Sequence, residues 1–321
     1  MPMKISTLAA ALVIALCASA DASAKGTPGG RGAAPAQVSI EGNPLTINIG
    51  DDHAFQVYNN TIGSAGQIYP SGSGLADMGW LVRIGSSLTA PDFGNHIGGT
   101  ATGGIGTYTA FANRSVSAVT GAGTAGSPYS VTVQGSAGGL AATDVVTYVN
   151  GENFFRKALT LQNPGSSPIT ARVFLGSDIY LASSDSGTPF REPTSGSPGG
   201  QTCAGITPVY TILHIPTGLA PSSFTADFYG GVWSQIGAGA LDGAVDPSSC
   251  TDNGAALQWD VTVPAGGSTT ITAATSFGAI PVIVGPPPVD AVAAPTMGAW
   301  GLAALAIALL ALAGVALRRN A

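Results

Sequence analysis

The chain has 321 residues, of which only 9% are charged, and its formal net charge is −6. The body carries no cluster of lysine and arginine, which excludes nucleic-acid binding, since that needs a basic footprint. Disorder is excluded too, because Val, Ile, Leu and aromatic residues are plentiful between the 46 glycines.

Residues 1–24 read as a secretory signal peptide. Lys4 gives a positive start, Leu8 to Ala18 is mostly apolar, and Ala22-Ser23-Ala24 supplies small residues at a cleavage site. Ala18-Ser19-Ala20 is a second site for the cut. Cys17 follows Leu16, where a lipoprotein signal wants a small residue, so lipidation is disfavoured. Residues 25–37 are rich in Gly, Pro and Ala and form a flexible leader.

From residue 38 to 281 the pattern is β. Val38 to Glu41 and Leu45 to Ile49 alternate apolar and polar residues, the period of a half-buried strand. Similar runs recur at Gly79 to Ile84, Tyr108 to Val119, Tyr129 to Val133, Asp144 to Val149 and Phe154 to Leu161. They continue at Ile169 to Leu175, Pro208 to Ile215, Ser223 to Phe228, Ala256 to Val263 and Thr269 to Ala274. Turn clusters separate them, among them Ser71 to Gly74, Gly121 to Ser127, Asn163-Pro164-Gly165 and Pro264 to Gly267. No stretch has helical periodicity. The fold class expected is all-β, an antiparallel β-sandwich, with a barrel as the alternative architecture. Asp144 to Leu175 is expected to form a three-strand meander, and Leu257 to Ala273 a strand, loop, strand unit that closes the domain.

Residues 282–293 change character. Pro286-Pro287-Pro288 favours an extended, semi-rigid stalk. The segment 294–321 follows. From Trp300 to Leu317 run 18 residues without a charge. As a helix they span roughly 27 Å, the hydrocarbon thickness of a bilayer. Arg318 and Arg319 at the end would stay on the cytoplasmic side. A single C-terminal transmembrane helix is expected.

Pro295-Thr296, then Trp300, the apolar run and the terminal Arg318-Arg319 resemble the IPTL-CTERM sorting signal of Gram-negative envelope proteins. Pro295, Thr296 and Trp300 match in identity and spacing. Ala294 and Met297 replace the usual Ile and Leu, and Gly298-Ala299 replace a Ser-Glu pair. The resemblance implies a partner, an exosortase-like membrane transpeptidase that removes the tail and passes the body to the cell surface. It covers under a tenth of the chain and leaves the body unexplained. A plain anchor in the inner membrane that is never cut is the rival reading of the same helix.

Cys203 and Cys250 are the two cysteines of the exported body, and in an oxidising compartment such a pair forms a disulfide rather than two free thiols. Histidine is scarce: His53, His96 and His214. His214 lies in an apolar strand and reads as a sheet residue. Asp51, Asp52 and His53 could join a metal site, but no second histidine lies at a zinc-like spacing. The chain has neither a Gly-x-Ser-x-Gly elbow nor a Gly-Lys-Ser/Thr phosphate loop. Among carboxylates, Asp178 and Asp185 lie just past a strand, and Asp242, Asp246 and Asp252 surround Cys250. Asp178, Asp185, Asp246 and Asp252 are weak candidates for Ca²⁺, which takes oxygen ligands. Turn formation is the competing explanation. Tyr180, Phe190, Tyr210, Phe224, Phe228, Tyr229 and Trp233 would suit a sugar-stacking face, but aromatics in strands, Trp80 and Trp259 included, are more often core.

The expectation is therefore an exported protein of the cell envelope or outer surface, with a structural or adhesive body and no catalysis of its own. It needs no cofactor unless Ca²⁺ binds, and surface glycans are candidate partners. The rival from another class is a surface-displayed carbohydrate-binding or carbohydrate-active protein that uses the aromatics and carboxylates of residues 180–260. A plain membrane-anchored periplasmic protein is the third reading.

Overall fold

A computed structural model describes residues 33–72, 74–246 and 249–278. The signal peptide, the stalk and the sorting residues Pro295, Thr296, Trp300, Arg318 and Arg319 lie outside these residues. Among the described residues no helix is long and apolar enough to cross a membrane.

In chain order the strands are β1 (Gln37–Glu41), β2 (Leu45–Gly50), β3 (Phe55–Asn59), β4 (Met78–Ile84), β5 (Ser87–Ala90), β6 (Thr109–Ala110) and β7 (Ala112–Val116). Then come β8 (Tyr129–Ala137), β9 (Leu140–Tyr148), β10 (Phe154–Gln162), β11 (Ile169–Asp178), β12 (Thr188–Arg191) and β13 (Pro198–Gln201). The last are β14 (Thr211–Pro216), β15 (Ser223–Phe228), β16 (Asn253–Val263) and β17 (Ser268–Gly278), with one helix, α1 (Tyr229–Ala238), after β15. The protein is all-β, as its alternation predicts.

Three sheets result. β1-β2-β3 is a small antiparallel sheet joined to β4 by a bridge between Ala54 and Gly79. The large sheet has eight strands in the order β12-β13-β14-β17-β10-β9-β8-β7, and the third has six in the order β15-β16-β11-β4-β5-β6. Pairing is antiparallel except between β5 and β6. The two larger sheets pack as a sandwich. Their inner faces share one core, with Val146, Leu159 and Ile271 from the eight strands against Trp80, Val173 and Trp259 from the six. The rings of Trp80 and Trp259 meet at 5.8 Å. Each such side chain taken fully from water contributes about 1.5–3 kcal/mol.

Two expectations need correction. The segment 144–175 is not a meander. β9 pairs with β10, but β10 turns to β17 and β11 joins the other sheet between β16 and β4. The turn at 163–168 is a corner of the sandwich, and so is the turn at 264–267 between β16 and β17. Asn163 locks the two corners together. Its amide N–H donates to Gly267 O at 2.9 Å, and its side-chain Nδ2 donates to Ser167 O at 2.8 Å and Val263 O at 3.2 Å.

The second correction is α1, which has no counterpart in the periodicity. Glycines at 230, 231 and 237 give it poor intrinsic propensity. It forms because Val232, Trp233 and Ile236 bury against Leu81, Phe174 and Ala256 on the outer face of the six-stranded sheet. Gly239, at φ 91°, ends it in the left-handed conformation.

Candidate functional site at the acidic strand ends

Asp178 ends β11 opposite Gly254 of β16, so Asp252, two residues before Gly254, falls on the same side of the ladder. Asp185 arrives from a different segment. A tight turn closes between Leu181 and Ser184, with Ala182 and Ser183 at φ 54° and 63°. Gly187 and Thr251 then exchange both backbone hydrogen bonds at 2.8 Å. That exchange draws the 181–187 turn against the residues before β16. Position 187 must be glycine, because a Cβ there would lie 2.6 Å from Asn253 Oδ1 and 2.8 Å from Gln201 O.

The result is a cluster that the sequence lists separately. One carboxylate oxygen each from Asp178, Asp185 and Asp252 lies within 4.8 Å of the others. Asp178 is fully buried, and the other two are half-exposed. The span is close to twice the 2.3–2.6 Å of a Ca²⁺–oxygen bond, so these three residues are the ones that would hold such an ion. Asp246 stands outside the group. It is exposed, its N–H donates to Ala226 O at 3.0 Å, and its charge acts on Asp227. Burial raises the Asp227 pKa, and the charges of Asp246 and Asp242 add to that rise.

Two aromatic residues follow at this end of the ladder. Phe228 pairs with Asn253 across the ladder, and Tyr229 N–H donates to Asp252 O at 3.0 Å. The two rings meet at 4.5 Å, and Phe228 is 45% exposed. The other aromatics of this stretch are less available. Trp233 is buried against Phe93 at 5.4 Å, and Tyr210 and Phe190 pack half-buried on the cores. Tyr180 is half-buried with its N–H on Gln67 O. Phe224 lines an open cleft of about 400 Å³, where the Arg191 guanidinium covers its ring at 4.0 Å. Cys203 and Cys250 form the disulfide, with Cα atoms 5.3 Å apart, and it ties the loop before Asp252 to the segment after β13.

The histidines fall elsewhere. Asp52 is buried and binds His96 through Oδ2 and Nε2 at 2.9 Å, a pairing hidden by a sequence separation of 44. Burial pushes the Asp52 pKa up, but the hydrogen bond and charge of His96 outweigh it, so the net shift is downward. Arg114 bridges Asp92 at 3.1 Å and Asp51 at 3.8 Å. His53 points away, its ring 4.5 Å from Phe111. Asp51, Asp52 and His53 therefore do not converge as a metal site. Asp52 and His96 pin the 92–96 loop to the turn after β2. His214 is a sheet residue, as its apolar surroundings predict.

No family model matches this chain, and no curated protein matches it. Solved structures do. A bacterial glucoamylase complexed with acarbose is 11% identical, with a TM-score of 0.49 over 78% of this chain and 34% of its own. A putative kojibiose phosphorylase from the human microbiome is 9% identical, with a TM-score of 0.39 over 74% of this chain and 29% of its own. A galactose mutarotase-like protein from Lactobacillus casei is 14% identical, with a TM-score of 0.35 over 75% of this chain and all of its own. The chain spans about a third of the length of the first two. These likenesses assign no residue and no substrate. They do correct one expectation. A body without catalysis was read from the lack of catalytic motifs, yet chains with similar sheets include a phosphorylase, a glucoamylase and a polysaccharide lyase. A fold of this kind does not mark a non-enzyme.

Proposed function

We propose that this is an exported, surface-displayed carbohydrate-active protein whose sugar-facing site is the acidic strand end of the six-stranded sheet. The observation that carries this is the convergence of Asp178, Asp185 and Asp252 at the strand end where the exposed Phe228 pairs with Asn253. Sugar recognition needs an apolar ring face and oxygen acceptors for hydroxyls, and this strand end carries residues of both kinds. Paired carboxylates are also the groups that glycoside chemistry uses. Export and sorting rest on the sequence: the signal peptide, the stalk and the Pro295-Thr296, Trp300, Arg318-Arg319 tail. The intact mass of protein recovered from its native envelope tests sorting. Retention of the two arginines would leave a plain membrane anchor.

The site is tested by screening the purified body against polysaccharides for binding and for released reducing ends. Asp178→Asn and Phe228→Ala should each weaken the response more than tenfold while leaving thermal stability within a few degrees. A response equal to wild type in both variants would sink the assignment. A second reading rests on the 4.8 Å oxygen span: the same carboxylates hold Ca²⁺. Calcium should then raise the melting temperature of the wild type and leave Asp185→Asn unchanged. A rise of equal size in both would remove the ion from this site.

A further inference from the structure

An unneutralised positive charge lies at one open side of the sandwich. β12 is an edge strand of the eight-stranded sheet, and β15 is an edge strand of the six-stranded one. Arg191, the last residue of β12, reaches across to β15, where its guanidinium lies over the Phe224 ring at 4.0 Å. Both residues line the open cleft of about 400 Å³. That volume is in the range of small-ligand sites.

The guanidinium is held in place but not satisfied. Its Nε donates to Gly196 O at 2.9 Å, and the Phe224 ring supports one face. Gly196, at φ 69°, lets the turn come close, since a Cβ there would lie 3.1 Å from Arg191 Nη2. Nη1 and Nη2 have no hydrogen-bond or ion-pair partner among the described residues. The neighbouring carboxylate does not neutralise them. Glu192 is turned into its own loop, where it accepts the N–H groups of Thr194 and Ser195. Every other cation among the described residues is engaged. Arg114, Arg156 and Arg172 pair with carboxylates, Arg83 donates to the carbonyls of Ser86, Ile236 and Gly237, and Lys157 donates to Thr275 Oγ1 inside the core. Arg191 presents a free fork in a chain whose formal net charge is −6.

Such a fork, with its plane already fixed, matches a carboxylate in bidentate geometry. Pro216, Pro221 and Leu257 give the cleft apolar surface, and Ser223 borders it. Ser223 Oγ donates to Leu241 O at 3.0 Å, which leaves its lone pairs to accept from a ligand hydroxyl. We propose that this cleft binds the carboxylate of a uronic acid unit, so that acidic polysaccharides are the class of glycan this protein takes. The choice of a sugar acid over another carboxylate rests on the carbohydrate reading above, whereas the anion site rests on Arg191 alone. The acidic strand end does not cancel the attraction. Leu257 lines the cleft and Asp252 lies five residues before it, roughly 16 Å of extended chain. That is about two Debye lengths at physiological salt.

Binding of the full chain to polygalacturonate, alginate and glucuronan, each beside its carboxyl-reduced neutral form, tests the proposal. At least one acid chain should bind about tenfold more tightly than its reduced form, and Arg191→Gln should abolish the difference. Arg191→Lys keeps the charge without the fork and should restore only part of it. The wild-type comparison decides even where a variant does not fold. Equal binding of an acid chain and its reduced form would overturn the proposal and leave the carbohydrate reading intact, as would binding of neutral polysaccharides only. A preference for acid chains that survives in Arg191→Gln would overturn it too, because the charge would then be read elsewhere. Polyglutamate bound through Arg191, with no polysaccharide bound, would overturn the sugar assignment here and the carbohydrate reading with it.

Discussion

Acid should destabilise this protein through His53, and asparagine at that position should remove the effect. His53 is 0% exposed, and both ring nitrogens lack a hydrogen-bond partner among the described residues. Burial pushes its pKa down to about 4, with the negative charge of Asp52 opposing the shift. In the unfolded chain the value is about 6.5. Above that pH both states hold a neutral ring, and the stability is complete. Between about 6.5 and 4 only the unfolded chain takes up the proton, so stability falls with pH. Below the folded value the loss stops growing. A gap of about 2.5 pH units at about 1.4 kcal/mol each gives a loss of about 3–4 kcal/mol. His53 sits at φ 69°, a left-handed position that asparagine tolerates. The smaller side chain costs packing energy at every pH, so it shifts the curve without tilting it. Urea unfolding of both proteins between about pH 7.5 and pH 4 reads the difference, and other titrations largely cancel in the subtraction. Curves that run parallel across that range would refute the argument.

Removing the disulfide in a Cys203→Ser, Cys250→Ser double variant frees a loop of sequence separation 47, worth about 4 kcal/mol in the chain-entropy account. In a body of this size that is a melting temperature lower by about 10 °C, read by calorimetry. Trp80→Phe keeps an aromatic ring against Trp259 but strips the donor from Asp144 Oδ2. It should cost about 1–3 kcal/mol in urea unfolding, and a neutral result would mean that the carboxyl finds another donor. Gly199→Ala places a Cβ 1.8 Å from the Ile212 carbonyl oxygen, which must part β13 from β14. Hydrogen exchange should show lost protection at Gly199 to Gln201, and unchanged protection would count against the pairing.

The strands that the sequence shows best are those with one face on the core. β9, Leu140 to Tyr148, alternates buried and exposed positions along its whole length, and its residues alternate to match. β16 is different. Its first seven residues are all buried, because α1 covers one face and the opposite sheet covers the other, so alternation is lost there. The corners at 163–168 and 264–267 look like hairpin turns in composition. Nothing local distinguishes a turn that returns within a sheet from one that crosses to the other, since that choice is made by what pairs with β10. β17 takes that edge and forces β11 away.

The candidate sites divide along the same physical line. Asp178 and Asp185 are near each other in the chain, but Asp252 joins them only through the β11–β16 ladder and the Gly187–Thr251 exchange, both long-range events. The Asp52–His96 pair is likewise invisible until the fold joins its loops. The buried Lys157 and Asp144 are another matter. In Phe155, Lys157, Leu159, Leu161 the period of two that places the apolar residues inside also places Lys157 inside. In Leu140, Ala142, Asp144, Val146, Tyr148 it does the same for Asp144. Two opposite charges assigned inward on consecutive strands cannot be accounted for as solvent-facing residues. Burying them costs several kcal/mol unless they are paired or neutral. That conflict between alternation and charge was readable from the residues alone. It marks a place in the sandwich core where side chains do more than pack.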